Sequence, residues 1–140
     1  MVQVNRKLEN LSKMIIALER AIQKLGTAKQ DEIEFIQDSV VARFKILVEF
    51  TWKNMALNLE LQGFSDLPSS PKGLVNFALA AKFITSHEAE ALIKFITLLN
   101  LAAHLYDQPQ YILIVHAAPD ALVLIKQIYQ RILAQQIVLG

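Results

Sequence analysis

Between Val4 and Leu25 the apolar side chains fall at Val4, Leu8, Leu11, Ile15, Leu18, Ile22 and Leu25, with spacings of 4, 3, 4, 3, 4 and 3. On a helix of 3.6 residues per turn that spacing gathers all seven into one narrow stripe, so the pattern predicts a first helix. Gly26 is expected to end it as a left-handed C′ residue. Thr27-Ala28-Lys29-Gln30 reads as a capping box that opens a second helix running to Leu61 or Gln62. At 100° per residue, Ile36, Val40, Val41, Phe44, Leu47, Val48, Thr51, Trp52 and Met55 fill an arc of roughly 160°. Lys45, Glu49 and Lys53 sit on the opposite side as i,i+4 pairs. An arc that wide serves more than one neighbour, which marks this as the central helix.

After a loop from Gly63 to Ser70, Ser70 is placed to cap and Pro71 suits the first helical position, where its missing N–H costs nothing. A third helix is expected to reach about Ile84, with Leu74, Phe77, Ala78 and Ala81 inward. Thr85-Ser86-His87-Glu88 is a second capping box, and the helix it opens carries Leu92, Phe95, Ile96, Leu99 and Ala103 towards His104. Asp107-Gln108-Pro109 breaks the chain. A short helix over Tyr111–Ala117 is expected to stop at Pro119, which starts a last helix with Leu122, Ile125, Tyr129 and Ile132 inward. Period-2 alternation never lasts beyond a few residues. The pattern predicts an all-α fold: an up-and-down four-helix bundle with one or two additional short helices, forming a single domain over residues 1–140.

Composition sharpens this picture at three points. The apolar share of 54% is high for a chain of 140 residues, so either the core is large or a second chain covers part of the surface. Lys and Arg number 14 against 13 Asp and Glu, a net charge of +1 with no basic run of the kind that clusters on nucleic acid. Cysteine is absent, which removes disulfides, thiolate nucleophiles and Cys-based metal sites and fits a reducing cytoplasm. No stretch reaches about 18 uninterrupted apolar residues, so no membrane span is expected.

Histidines are the first candidates for chemistry. His87 lies in a capping box and should face solvent. His116, in an apolar segment without a neighbouring carboxylate, is expected to be a half-buried packing residue. His104 differs, because Asn100 stands one turn before it on the same helix face and Tyr106 and Asp107 follow on the turn. The four glycines, at 26, 63, 73 and 140, form no phosphate loop. Asp31, Glu32 and Glu34 suit the positive end of a helix dipole better than acid–base work. No metal site and no cofactor are expected.

Two separated segments together resemble a known family. Asp38-Ser39-Val40-Val41-Ala42-Arg43-Phe44-Lys45, leading to Glu49-Phe50-Thr51-Trp52-Lys53, resembles the central helix of HEPN-domain proteins of the nucleotidyltransferase substrate-binding type. Ser70-Pro71-Lys72, and then Asn100 with His104-Leu105-Tyr106-Asp107, follow in the family's order, so the resemblance spans about Asp38 to Arg131. It implies a cytoplasmic helical bundle, usually a homodimer, that partners a minimal nucleotidyltransferase in a toxin–antitoxin type pair, with a nucleotide or RNA as a further ligand. Some members are ribonuclease toxins that use an Arg-x4-His-x-Tyr arrangement, and their Tyr can accept adenylyl groups from the partner.

In this chain His104 and Tyr106 match that arrangement, but Leu99 stands where the family has Arg. Without a guanidinium the site lacks its phosphate-binding, charge-stabilising donor, a loss of about two to three decades in rate. Lys45 likewise replaces a family Glu. The sequence therefore favours a non-catalytic partner subunit. The alternative is a ribonuclease acting through catalytic candidate His104, with Asn100 and Arg43 compensating for Leu99. Arg43, at the edge of the apolar arc, is expected either to pair with an acid or to line a groove with Asn100, His104, Tyr106 and Asp107.

Overall fold

A computed structural model describes the backbone of residues 2–104 and 108–139, and side chains over 6–101 and 111–136. Five helices follow one another: α1 (Val2–Gly26), α2 (Ile33–Leu61), α3 (Pro71–Ala80), α4 (Ser86–His104) and α5 (Gln108–Leu139). Four are long and α3 is short, as the pattern predicts.

Cross-links between helices set their directions. Arg43 of α2 reaches back to the Ala17 carbonyl, so α1 and α2 run antiparallel. Tyr111 meets Asp38 near the start of α2, and Gln135 meets Asn58 near its end, so α5 runs parallel to α2. Arg131, late in α5, meets Glu88 at the start of α4, which makes those two antiparallel. The long helices thus alternate up and down, with α3 inserted in the connection from α2 to α4.

Leu8, Leu11, Ile15 and Leu18 are buried, as their spacing requires, and Ala21 completes the stripe. From α2 the core takes Val40, Phe44, Leu47, Val48, Thr51, Met55 and Leu59. Phe44 meets Phe95 of α4 edge-on, with ring centroids 5.8 Å apart.

The largest departure from the sequence reading is α5. Pro119 lies inside a continuous helix rather than dividing two. Proline there removes the N–H that would serve the Val115 carbonyl, at roughly 3 kcal/mol. Against that, Ile114, Ala118, Ala121, Ile125, Ile128 and Ile132 are fully buried at spacings of 4, 3, 4, 3 and 4. Each large member contributes about 1.5–3 kcal/mol of burial, and breaking the helix at Pro119 would throw the two halves of that seam out of phase. The seam wins. Tyr111–Gln136 is long and apolar enough to cross a membrane by length and composition, but one face of it is this core seam.

His116 is exposed, not half-buried, because it points roughly 200° round the helix from Ile114. The capping box over Thr27–Gln30 does not form: Thr27 Oγ1 donates to the Lys24 carbonyl, and α2 begins only at Ile33. Gly26 is the last residue of α1 and lacks a left-handed φ.

The left-handed stop is found instead after α2. There Gly63 (φ 102°) donates to Glu60 O at 3.0 Å and Phe64 to Leu59 O at 3.1 Å, a Schellman closure. Helix α3 stops at Ala80, short of Ile84, by the same device, but Lys82 occupies the left-handed position at φ 63°. Lys82 donates to Leu79 O at 3.0 Å and Phe83 to Ala78 O at 2.9 Å. The other two expected caps form. Ser70 Oγ accepts from the Gly73 amide at 3.2 Å. Thr85 and Glu88 exchange bonds of 2.9 and 3.1 Å, and His87 beside them is exposed.

Candidate functional site

Helix direction decides which candidate residues share a neighbourhood. Because α4 and α5 are antiparallel and pinned at one end by Glu88 and Arg131, the end of α4 and the start of α5 lie together at the other end. Only residues 105–107 separate them, a reach of at most about 14 Å. The first half of α2 joins this end, because the Tyr111 hydroxyl donates to the Asp38 carboxylate. Asn100, the backbone of His104, Asp38 and Tyr111 therefore belong to one end of the bundle. Tyr106, Asp107 and the His104 side chain lie outside the described residues.

Asn100 is exposed, and Leu99 is half-buried against the core. Helical spacing puts Leu99 on the inner face with Leu92 and Ile96, so the aliphatic residue that replaces the expected Arg works as core. Arg43 goes elsewhere. Its Nη1 donates to the Ala17 carbonyl at 2.6 Å, tying the middle of α2 to α1. Its partner is thus a carbonyl, not the acid that was one of the expectations. Arg43 and Asp38 are five residues apart, about 140° round the helix, so one cannot serve the other's surface.

Asp38 is exposed and accepts from Tyr111. Among the described residues the ion pairs are Lys53–Glu49, Lys126–Glu19 and Arg131–Glu88, and Asp38 belongs to none of them. This end therefore presents a carboxylate, a phenol and a primary amide. Such a set can hold hydrogen-bonding ligands and orient a hydroxyl, but none of these three groups is the cation that would stabilise charge in phosphodiester cleavage. No group of three His, Cys, Asp or Glu that could hold a metal ion occurs among the described residues.

Two other polar clusters lie away from this end. Glu88, 5% exposed, takes Arg131 Nη1 on Oε1 at 2.8 Å and Nη2 on Oε2 at 2.9 Å, while Nη1 also donates to Phe83 O at 3.1 Å. The Arg131 hydrogen bond, more than the opposing burial, holds the Glu88 carboxyl below its ordinary range; the same bond raises Arg131. At the end of α2, Asn58 Nδ2 donates to Gln135 Oε1 at 2.5 Å and Gln62 Nε2 donates to the same oxygen. The buried Asn58 Oδ1 and Gln136 Oε1 have no partner among the described residues.

Sequence reasoning missed Tyr111, Arg131 and the glutamine pair. Tyr111 was legible only as part of an apolar run. A signal for Arg131 was present: a long cation on the otherwise apolar flank of Ile128 and Ile132 needs a buried partner.

The family described as nucleotidyltransferase substrate binding protein like matches residues 6–134. No curated protein matches the sequence. Among solved structures, the chain is similar to the tri-AMPylated Shewanella oneidensis HEPN toxin in complex with MNT antitoxin. The TM-score is 0.73 at 22% identity, covering 94% of this chain and 96% of that one. A crystal structure of a toxin–antitoxin with AMP-PNP aligns at a TM-score of 0.65 and 21% identity, over 87% of this chain and 96% of that one. At these identities the likeness establishes a shared bundle.

Proposed function

Because this chain belongs to the nucleotidyltransferase substrate binding protein like family, we propose that it is the partner subunit of a minimal nucleotidyltransferase in a toxin–antitoxin pair. The observation that carries this is the family match over residues 6–134, nearly the whole bundle. The two similar structures support it, because both are of toxin–antitoxin assemblies. In this reading the chain acts as one cytoplasmic domain over residues 1–140 and pairs with a second copy of itself. The end of the bundle where α2, α4 and α5 converge faces the transferase.

Tyr106 is the acceptor we assign for adenylyl groups, with Asn100, His104 and Asp107 as its neighbours in sequence and a nucleotide or RNA as the further ligand. The Shewanella toxin is itself tri-AMPylated, which supports a side chain of this protein as an adenylyl acceptor. Ribonuclease activity is not part of the proposal. Leu99 packs into the core, Arg43 is held by Ala17, and Arg131 is held by Glu88 at the other end.

Incubation with a minimal nucleotidyltransferase of the same organism, ATP and magnesium, followed by intact-mass measurement, tests the assignment. The mass should rise by whole adenylyl groups that vanish in Tyr106→Phe. A Tyr106→Phe protein modified as fully as the parent would refute the assignment.

A further inference from the structure

Helix α2 has two apolar faces, and only one is used inside the bundle. Phe35 is 83% exposed and Ile46 40% exposed, while Ser39 is half-buried and Ala42 exposed. Phe35, Ser39, Ala42 and Ile46 are spaced 4, 3 and 4, which places them on one stripe. That stripe lies roughly 140° round the helix from the mean direction of Val40, Phe44, Leu47 and Thr51. It is a second seam at coiled-coil spacing, about 17 Å long, with small residues in the middle and large ones at both ends.

We propose that two copies of the chain pair along this seam, α2 lying antiparallel on α2 of the second copy. Phe35 packs beside Ile46 of the second copy, and Ser39 beside its Ala42. The inference rests on the homodimer in the reading above and names its surface.

Size and charge both favour that occupant and direction. Helices that cross at an angle approach most closely at the crossing point and diverge beyond it. Small residues belong at the centre and long ones at the ends, which is the order found here. Asp38 and Lys45, seven residues apart, flank the same edge of the seam. In the antiparallel register Asp38 faces Lys45 of the second copy, and Lys45 faces its Asp38. One sequence thus supplies both halves of two ion pairs, as a two-fold interface requires. A parallel pairing would set Phe35 on Phe35 and offer Asp38 the Arg43 of the second copy, whose guanidinium already holds the Ala17 carbonyl. A consequence follows for the site: Lys45 of the second copy brings an ammonium to the carboxylate that Tyr111 engages.

The protein has no cysteine, so introduced thiols report without background. Ser39→Cys and Ala42→Cys proteins, mixed under mild oxidation, should cross-link to each other several-fold faster than either does to itself. Ala42→Glu sits on an exposed helix position and should keep the helical circular dichroism of the parent. By sedimentation equilibrium its dimer dissociation constant should rise at least tenfold. Lys45→Asp should weaken the dimer, and adding Asp38→Lys to it should restore the dimer.

A dimeric Ala42→Glu protein with no preferential cross-link overturns the seam and leaves the homodimer standing on another face. A monomeric parent overturns the seam and the homodimer together, while binding to the transferase is measured separately. If Ala42→Glu stays dimeric but loses the transferase, the seam belongs to that partner and the inference is overturned.

Discussion

Glu88 and Arg131 meet fork to fork, with both carboxylate oxygens within 2.9 Å of a guanidinium nitrogen, although 43 residues separate them in sequence. The same carboxylate caps α4 through Thr85, and the same guanidinium holds the carbonyl of Phe83. One ion pair therefore fixes the α3–α4 corner to α5 at the end opposite the candidate site, and so sets the angle at which α4 delivers Asn100.

Loss of one partner should cost more than an exposed ion pair. The Glu88 side chain is 7% exposed and that of Arg131 33%. Removing Arg131 strands a buried carboxylate, for which about 3 kcal/mol is the low end of the usual range, and the exposed part of Arg131 argues for that end. Arg131→Ala should lower stability by about 3 kcal/mol in urea denaturation. The pH dependence follows from the depressed Glu88 pKa. Its stabilisation is fully present above the unfolded carboxyl value, about 4.3, and is lost as pH falls through the lower folded value. Between pH 5 and 8 the difference between parent and Glu88→Gln should stay constant, and below about pH 4 it should shrink.

Pro119 weakens a helix that its neighbours hold together. It is exposed, so replacing it disturbs no core contact. Pro119→Ala restores the bond to the Val115 carbonyl and should raise stability by at least about 1 kcal/mol, after offsetting the freedom gained by the unfolded chain. The midpoint of thermal unfolding measures this directly.

Helices α2 and α3 end with the same geometry on different residues, so matched substitutions should have opposite signs. Gly63→Ala forces a side chain to φ 102° and should destabilise by about 1 kcal/mol or more. Lys82→Gly relieves φ 63° and should stabilise by up to about 1 kcal/mol. Chemical denaturation of the two variants against the parent tests both signs.

The sequence was most readable where one local rule acted alone. The 4-3 spacing of Leu8, Leu11, Ile15 and Leu18 admits one helix face, and the Thr85–Glu88 and Ser70–Pro71 signals lie at helix starts with no competitor. Reading failed where a local signal met a tertiary one. Pro119 argued for a break that the isoleucine seam overrides. Thr27 and Gln30 had the right types for a cap, but Thr27 bonds backward to Lys24 and the helix begins later. Lys82 carries no sign of a left-handed turn, since lysine is not a residue that favours one. At the candidate site, Asn100 was legible from its spacing to His104. Asp38 appeared in the family pattern without a partner, because nothing in a one-dimensional chain joins it to Tyr111, 73 positions away. Arg43 was placed on the correct edge of α2, but the Ala17 carbonyl is invisible to side-chain pattern reading.

Titration calorimetry of the purified chain with a minimal nucleotidyltransferase of the same organism tests the central claim most directly. A saturable heat with a dissociation constant at or below the micromolar range, and a fixed ratio of the two chains, is the expected result. The absence of any binding heat at several temperatures, together with separate elution of the two proteins at micromolar concentration, would contradict it.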